Sequence, residues 1–229
     1  WGLVRSREQP KPQELSNAFY SCAMASHSGA AVDALAGAVS KLSLSSWAAQ
    51  AISNTLYAWH VLSLQGKASP ELNNMASALF SEANSRGPLA FKGHESRQLY
   101  TAHMEAQRVG LQGGGLDTAN GLLQAASEKQ KQAQARLQNK MKQLDASAGQ
   151  MKQATAALQQ AGYQVEVGGT IGEEYVVPLH VQHESHASAI TVYIVKPSDF
   201  FRHPQGQLSG KTAAVHAQIR HRCWLVVLS

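Results

Sequence analysis

Ser16-Asn17-Ala18-Phe19-Tyr20-Ser21-Cys22-Ala23 is restated 37 residues later as Ser53-Asn54-Thr55-Leu56-Tyr57-Ala58-Trp59-His60. Ser-Asn and Tyr recur unchanged, Phe19 is answered by Leu56, and the preceding Leu15 is answered by Ile52. A period of this length points to stacked helical hairpins, because one hairpin cannot bury its own apolar face. Leu15, Ala18, Phe19 and Cys22, like Ile52, Thr55, Leu56 and Trp59, are spaced three and four apart and so form one stripe on each helix. The phrase is read as packing, with Leu15, Phe19, Ile52, Leu56 and Leu79 buried between paired helices. Asn17 and Asn54 are expected to tie neighbouring helices together by hydrogen bonds.

Each phrase is followed by a second helical pattern. The first runs from Ala30 to Leu44 with Val32, Leu35, Val39 and Leu42 on one side. The second opens at Ser69-Pro70-Glu71, a start signal with proline at the first helical position, and continues through Leu72, Met75 and Leu79. Gly87-Pro88 then breaks the pattern, and a further helix covers Glu95 to Gln107. Gly113-Gly114-Gly115 is expected to end it in a flexible hinge.

Residues 116–161 are rich in Ala, Gln and Lys and favour helix. Leu137, Met141, Leu144, Ala148, Met151, Thr155 and Leu158 make one apolar seam. Asp145, Ser147 and Gly149 are poor mid-helix residues, so a bend or break is expected there. Lys129, Arg136 and Lys140 belong to a run of cations on this stretch, either a solvated face or a contact for phosphate.

Gly162 is a helix stop. After it come β-type runs at Tyr163–Val167, Tyr175–Val181, Ala189–Val195 and Trp224–Leu228, with a short helix from about Thr212 to Arg222 between the last two. Pro178 inside the second run suggests an edge strand. The expected organisation is a lead-in (1–11), helical repeats (12–112), linker helices (113–161) and a small α+β domain (162–229).

The 229-residue chain carries a formal net charge of +5 and a sequence pI of about 9.3. That balance suits a polyanionic partner. No apolar run approaches the length of a membrane span. The chain opens at Trp1, so any targeting peptide is expected to be removed or to lie outside it. Cys22 and Cys223 fall in no paired motif and are read as reduced, small buried residues.

Two resemblances sharpen this reading. Gln13-Glu14-Leu15-Ser16-Asn17-Ala18-Phe19-Tyr20 and Gln50-Ala51-Ile52-Ser53-Asn54-Thr55-Leu56-Tyr57-Ala58-Trp59 resemble the first helix of the octotricopeptide repeat, over about residues 12–86 in two units. That family consists of RNA-binding helical repeats of organelles, related to those of FAST-kinase-type mitochondrial proteins. The Gln98-Leu99-Tyr100 … Ala102-His103 … Ala106-Gln107 pattern is similar to the helix joining such repeats to a C-terminal domain. Ile190-Thr191-Val192-Tyr193-Ile194-Val195-Lys196-Pro197-Ser198-Asp199-Phe200-Phe201-Arg202, then Leu208-Ser209-Gly210-Lys211-Thr212, then Cys223-Trp224-Leu225-Val226-Val227, resemble the RAP domain. RAP domains resemble a restriction-endonuclease-like fold and occur in proteins of organellar RNA metabolism. The fold class implied is a mostly α helical-hairpin repeat solenoid with a small C-terminal α+β RAP-like domain.

A metal-dependent nuclease of that fold holds a divalent cation with carboxylates at adjacent strand ends. The family's acidic positions read Pro178, Tyr193 and Val195 here, the glycine before Pro-Ser is Lys196, and the histidine after it is Asp199. The chain is therefore read as non-catalytic, with no metal and no cofactor. His180, His183, His186 and Glu184 do not make a zinc site, since His180 and His183 point to opposite faces of a strand. Gly210-Lys211-Thr212 lacks the remainder of a phosphate-binding loop, and there is no nucleophile elbow.

The remaining chemistry is cationic. Lys196, Arg202, His203, Lys211, Arg220 and Arg222, with Lys129, Arg136 and Lys140, are the candidate RNA-binding residues, read as contacts to phosphate. The expectation is a non-catalytic RNA-binding protein of the mitochondrial matrix, or alternatively the chloroplast stroma. Its favoured role is a ribosome-associated scaffold for ribosomal RNA among neighbouring ribosomal proteins, with no membrane and no small-molecule substrate. A trans-acting factor for organellar messenger RNA, an RNA-processing nuclease and a protein-binding adaptor remain open alternatives.

Overall fold

The computed structural model describes residues 10–145, 149–171, 175–182, 190–194 and 224–228. The protein is mostly helical, and its described residues divide into two compact units, one ending at Gln130 and one beginning at Lys131.

In the first unit the helices are α1 (Pro12–Met24), α2 (Ala30–Val39), α3 (Ala49–Leu64), α4 (Pro70–Arg86), α5 (Gly93–Val109) and the beginning of α6 (Leu122–Asp145). α1 packs on α3 and α3 on α5, while α2 packs on α4, so successive hairpins stack in two layers. The apolar stripe explains the order: Leu15, Phe19, Ile52, Leu56 and Leu79 are all completely buried, as the spacing requires. The core also takes Trp59 and Phe80, whose rings meet edge to face at 6.2 Å, the arrangement ring quadrupoles favour. Leu122 and Ala126 are fully buried and Gln130 nearly so; an i, i+4, i+8 stripe thus draws the start of α6 into the same core. A segment read from sequence as the beginning of a linker is, in the fold, a sixth packed helix.

Helix boundaries follow local chemistry. Ser69 accepts a hydrogen bond from the Leu72 amide at 3.3 Å ahead of Pro70, the expected cap. Lys11 and Lys92 each donate a backbone N–H to the glutamate three residues on, Glu14 at 3.0 Å and Glu95 at 2.6 Å, which caps α1 and α5 alike. α2 stops at Val39 rather than running to Leu44; a turn follows, then a 3₁₀ turn at Leu44–Ser46 that delivers Trp47 to the core. Pro88–Ala90 repeats the device and delivers Phe91.

The triple-glycine segment is not a free hinge. Asn84 of α4 donates to the Gly115 carbonyl at 3.0 Å and accepts from the Asp117 amide at 2.8 Å, and its own carbonyl accepts from the Asn120 side chain. The Leu116 amide donates to His103 Nδ1 at 2.9 Å. Gly115, at φ +121°, lies so close to His103 that a Cβ there would sit 3.0 Å from its Nδ1. The glycines supply a turn shape and close approach, not looseness.

The second unit holds the end of α6, α7 (Gly149–Gln160) and two sheets. α6 ends at Asp145 and α7 begins at Gly149; the break expected between them falls on residues 146–148, outside the described residues. Gly162, at φ +87°, closes α7: its amide donates to the Gln159 carbonyl and the Tyr163 amide to that of Leu158, each at 3.0 Å. Strands β1 (Gln164–Val167), β4 (Leu179–Gln182), β5 (Ile190–Ile194) and β6 (Trp224–Leu228) form one sheet in that order. β2 (Thr170–Ile171) and β3 (Tyr175–Val176) form another. β5 and β6 run parallel and the other pairs antiparallel. Leu179 and Val181 are buried with Leu158, Val165 and Val167 against them.

The run Tyr175–Val181 divides at Pro178, which corrects its assignment to an edge strand. β4 is an inner strand between β1 and β5, and Pro178 stands just before it, where no ladder N–H is needed; its carbonyl accepts from the Gly168 amide at 2.9 Å. Gly169 is required beside it, since a Cβ there would collide with that of His180.

Candidate nucleic-acid interface

The sequence places candidate cations in two regions. Lys129, Arg136 and Lys140 stand on α6, all exposed. Their spacing of seven and four residues puts them on one face of that helix. The ion pairs among the described residues are Arg86–Glu82, His94–Glu95 and Arg108–Glu105, so none of the three is paired there. Glu128, the acid beside them, receives a hydrogen bond from Gln124 at 3.2 Å. Lys196, Arg202, His203, Lys211, Arg220 and Arg222 lie outside the described residues, as do Val195, Asp199 and the predicted helix at 212–222. Cys223, His183, Glu184 and His186 also lie outside them, while His180 stands in β4. Among the described residues no three His, Cys, Asp or Glu side chains gather as metal ligands.

Sequence reasoning passed over a second set of groups on α1, α3 and α5. The recurring tyrosines come together: Tyr20 and Tyr57 stack with ring centres 6.2 Å apart and planes inclined by 26°. Burial, then the neighbouring Tyr20, pushes the Tyr57 hydroxyl up to about 12. The recurring asparagines behave differently from each other. Asn54 accepts from Gln98 of α5 at 3.0 Å and so ties two helices, as expected. Asn17 accepts from Gln13 one turn earlier in its own helix, at 2.9 Å, because α1 has no preceding helix beside it among the described residues. Gln98 Oε1 is buried without a hydrogen-bond partner.

Below this row, α3 and α5 share a polar core. Ser63 donates to Glu105 at 2.5 Å, and Arg108 grips the same carboxylate with two bonds of 2.7 Å. Glu105 is 2% exposed, so the bidentate guanidinium is what makes its burial tolerable. That bonding pushes the Arg108 pKa up. Burial, helped by the positive charge of Arg108, pushes the nearby His60 down to about 3, so its ring is neutral. Burial also lowers His103. Ser63, Glu105 and Arg108 thus fasten α3 to α5.

A second unforeseen clamp is Arg86. It pairs with Glu82 at 2.7 Å and donates to the carbonyls of Trp47 at 2.6 Å, Leu44 at 2.8 Å and Ser45 at 3.1 Å. One guanidinium thereby serves the carbonyls of the preceding 3₁₀ turn, a fixed fork that lysine could not supply. Half-buried Cys22 is a free thiol whose pKa burial raises. No described helix is long and apolar enough to cross a membrane. The chain matches no protein-family model and no curated protein.

Proposed function

We propose that the chain is a non-catalytic RNA-binding protein of a mitochondrion, a short array of octotricopeptide-like hairpins followed by a RAP-like domain, which holds ribosomal RNA among neighbouring ribosomal proteins. One observation carries the reading. Helices α1, α3 and α5 lie side by side, and each brings hydrogen-bonding or aromatic groups to equivalent positions: Asn17 and Tyr20, Asn54 and Tyr57, Gln98 and Thr101. Repeated helices that offer one small set of polar and stacking groups each suit single-stranded RNA, whose splayed bases are met one at a time. Lys129, Arg136 and Lys140 on α6 add positive charge that has no ion pair among the described residues and is open to phosphates. Contacts from such cations go to phosphates, which carry no sequence information, and this favours holding a structured RNA within a larger particle over selecting a message.

Sedimentation of an organelle lysate tests the proposal. Co-migration of the protein with a ribosomal subunit after a high-salt wash is expected. A light complex dispersed by ribonuclease would instead mark a messenger RNA factor, and sedimentation indifferent to ribonuclease would contradict RNA binding.

A further inference from the structure

α5 and the start of α6 enclose a groove of about 400 Å³ that no role above has used, lined by Tyr100, His103 and Met104 on one side and Leu123, Gln124 and Ser127 on the other, with Thr118 at its end. Gly93, Arg97, Tyr100 and Met104 are spaced four, three and four apart and so share the face of α5 that meets α6. Farther along that face, Lys129 lies over the beginning of α5: a Cβ on Gly93 would sit 4.0 Å from its Cδ. Lys92 and Arg97 flank that point in sequence, and Lys92, Arg97 and Lys129 are all exposed and without ion pairs among the described residues. The groove's own lining joins an aromatic ring, a thioether and leucine to a few polar groups; the cations Lys92, Arg97 and Lys129 stand outside that lining, toward the beginning of α5.

The slot has polar groups to spend. His103 Nδ1 is occupied by the Leu116 amide at 2.9 Å, so the proton of its neutral ring is on Nε2 and available to donate. The hydroxyls of Thr118 and Ser127 have no hydrogen-bond partner among the described residues. A flat ring with hydrogen-bonding edges suits such a slot, and an attached phosphate suits Arg97 and Lys129 one to two turns away. We propose that this groove binds one nucleotide, its base between α5 and α6 and its phosphate on Arg97 and Lys129. The proposal rests on the RNA-binding reading for its natural source of ligand, a nucleotide within a strand; a free mononucleotide has the same chemistry.

The experiment uses the full chain, a short labelled single-stranded RNA followed by fluorescence anisotropy, and uridine and adenosine monophosphates followed by calorimetry. Ser127→Leu closes the slot on a helix-compatible side chain, and Gln124→Phe at its exposed rim repeats the test should Ser127→Leu alter the melting curve. Arg97→Ala with Lys129→Ala removes the phosphate contacts, and Lys11→Ala with Lys41→Ala removes equal charge elsewhere. Ser127→Leu is expected to weaken RNA binding about tenfold or more, the loss of one stacked base, at an unchanged salt slope. The Arg97/Lys129 pair is expected to flatten that slope by about 0.7 unit, the loss of one phosphate, with the Lys11/Lys41 pair unaffected. Mononucleotide binding sensitive to the same variants would make free nucleotide a ligand; RNA binding alone would make the site specific to nucleotides within a strand. If RNA binds the parent and the slot variants equally, the groove is not the site, though the RNA-binding reading stands. If poly-glutamate displaces RNA as well as competing RNA does, the cations form only an anion patch and the base slot is refuted. If the parent binds neither RNA nor mononucleotide, both readings fall.

Discussion

Single residues carry the stability of the packed helices. Leu56 is wholly buried at the meeting of α1, α3 and their neighbours, so Leu56→Ala leaves a cavity and should cost roughly 2–5 kcal/mol in denaturant unfolding. Melting equal to the parent would contradict that place in the core. His60 gives a pH signature. Its pKa is lowered to about 3 in the fold, below its ordinary value, so the unfolded chain binds the extra proton. The stability it protects is complete above the unfolded pKa and is lost as pH falls from about 6.5 toward 3, at no more than about 1.4 kcal/mol per pH unit. His60→Gln should shallow the fall in melting temperature between pH 7 and pH 4; an unchanged pH profile would remove His60 as its source. At this scale the sequence was legible where periodicity spoke, as at Leu15, Phe19, Ile52 and Leu56. It was silent on Trp47 and Arg86, because a buried Trp after a 3₁₀ turn, and a guanidinium reaching carbonyls some forty residues away in sequence, leave no periodic trace.

Elements are decided by their ends and connections. The serine cap before Pro70 and the glycine stop at Gly162 were legible, since both are local chemistry. Pro178 and the triple glycine were misjudged for one reason: each residue's role depends on what packs against it. Pro178 needs no ladder donor because it precedes β4, and the glycine turn is fastened by Asn84 and His103 from other helices. Asn84→Ala removes the side-chain bonds to Gly115 and Asp117 while leaving its backbone in place. It should cost about 1–3 kcal/mol and speed amide exchange at Asp117 and its neighbours relative to the α3 core. Exchange unaltered there would mean that the segment is held by other means.

For the whole molecule, the duplication of Ser-Asn-x-x-Tyr pointed to helices packed on one another, and α1 does lie against α3; that Tyr20 and Tyr57 stack across them was not read from the sequence. The start of α6 was not recognised as part of that stack, because its Leu122, Ala126 and Gln130 stripe is diluted by the Ala, Gln and Lys content of the segment. The candidate cations were legible as charge but not as geometry: Lys129, Arg136 and Lys140 fall on one helix face, and Lys129 also lies over Gly93 at the start of α5, which no spacing in sequence could foretell. The central claim, RNA binding without cleavage, is met most directly by titrating the purified chain with a structured organellar ribosomal RNA fragment across a salt series in Mg²⁺ or Mn²⁺, followed by a denaturing gel of the same RNA. The account predicts that the logarithm of affinity falls linearly with the logarithm of salt concentration and that the RNA stays full length. Salt-independent or absent binding, or cleavage of the RNA that depends on the metal ion, would contradict it.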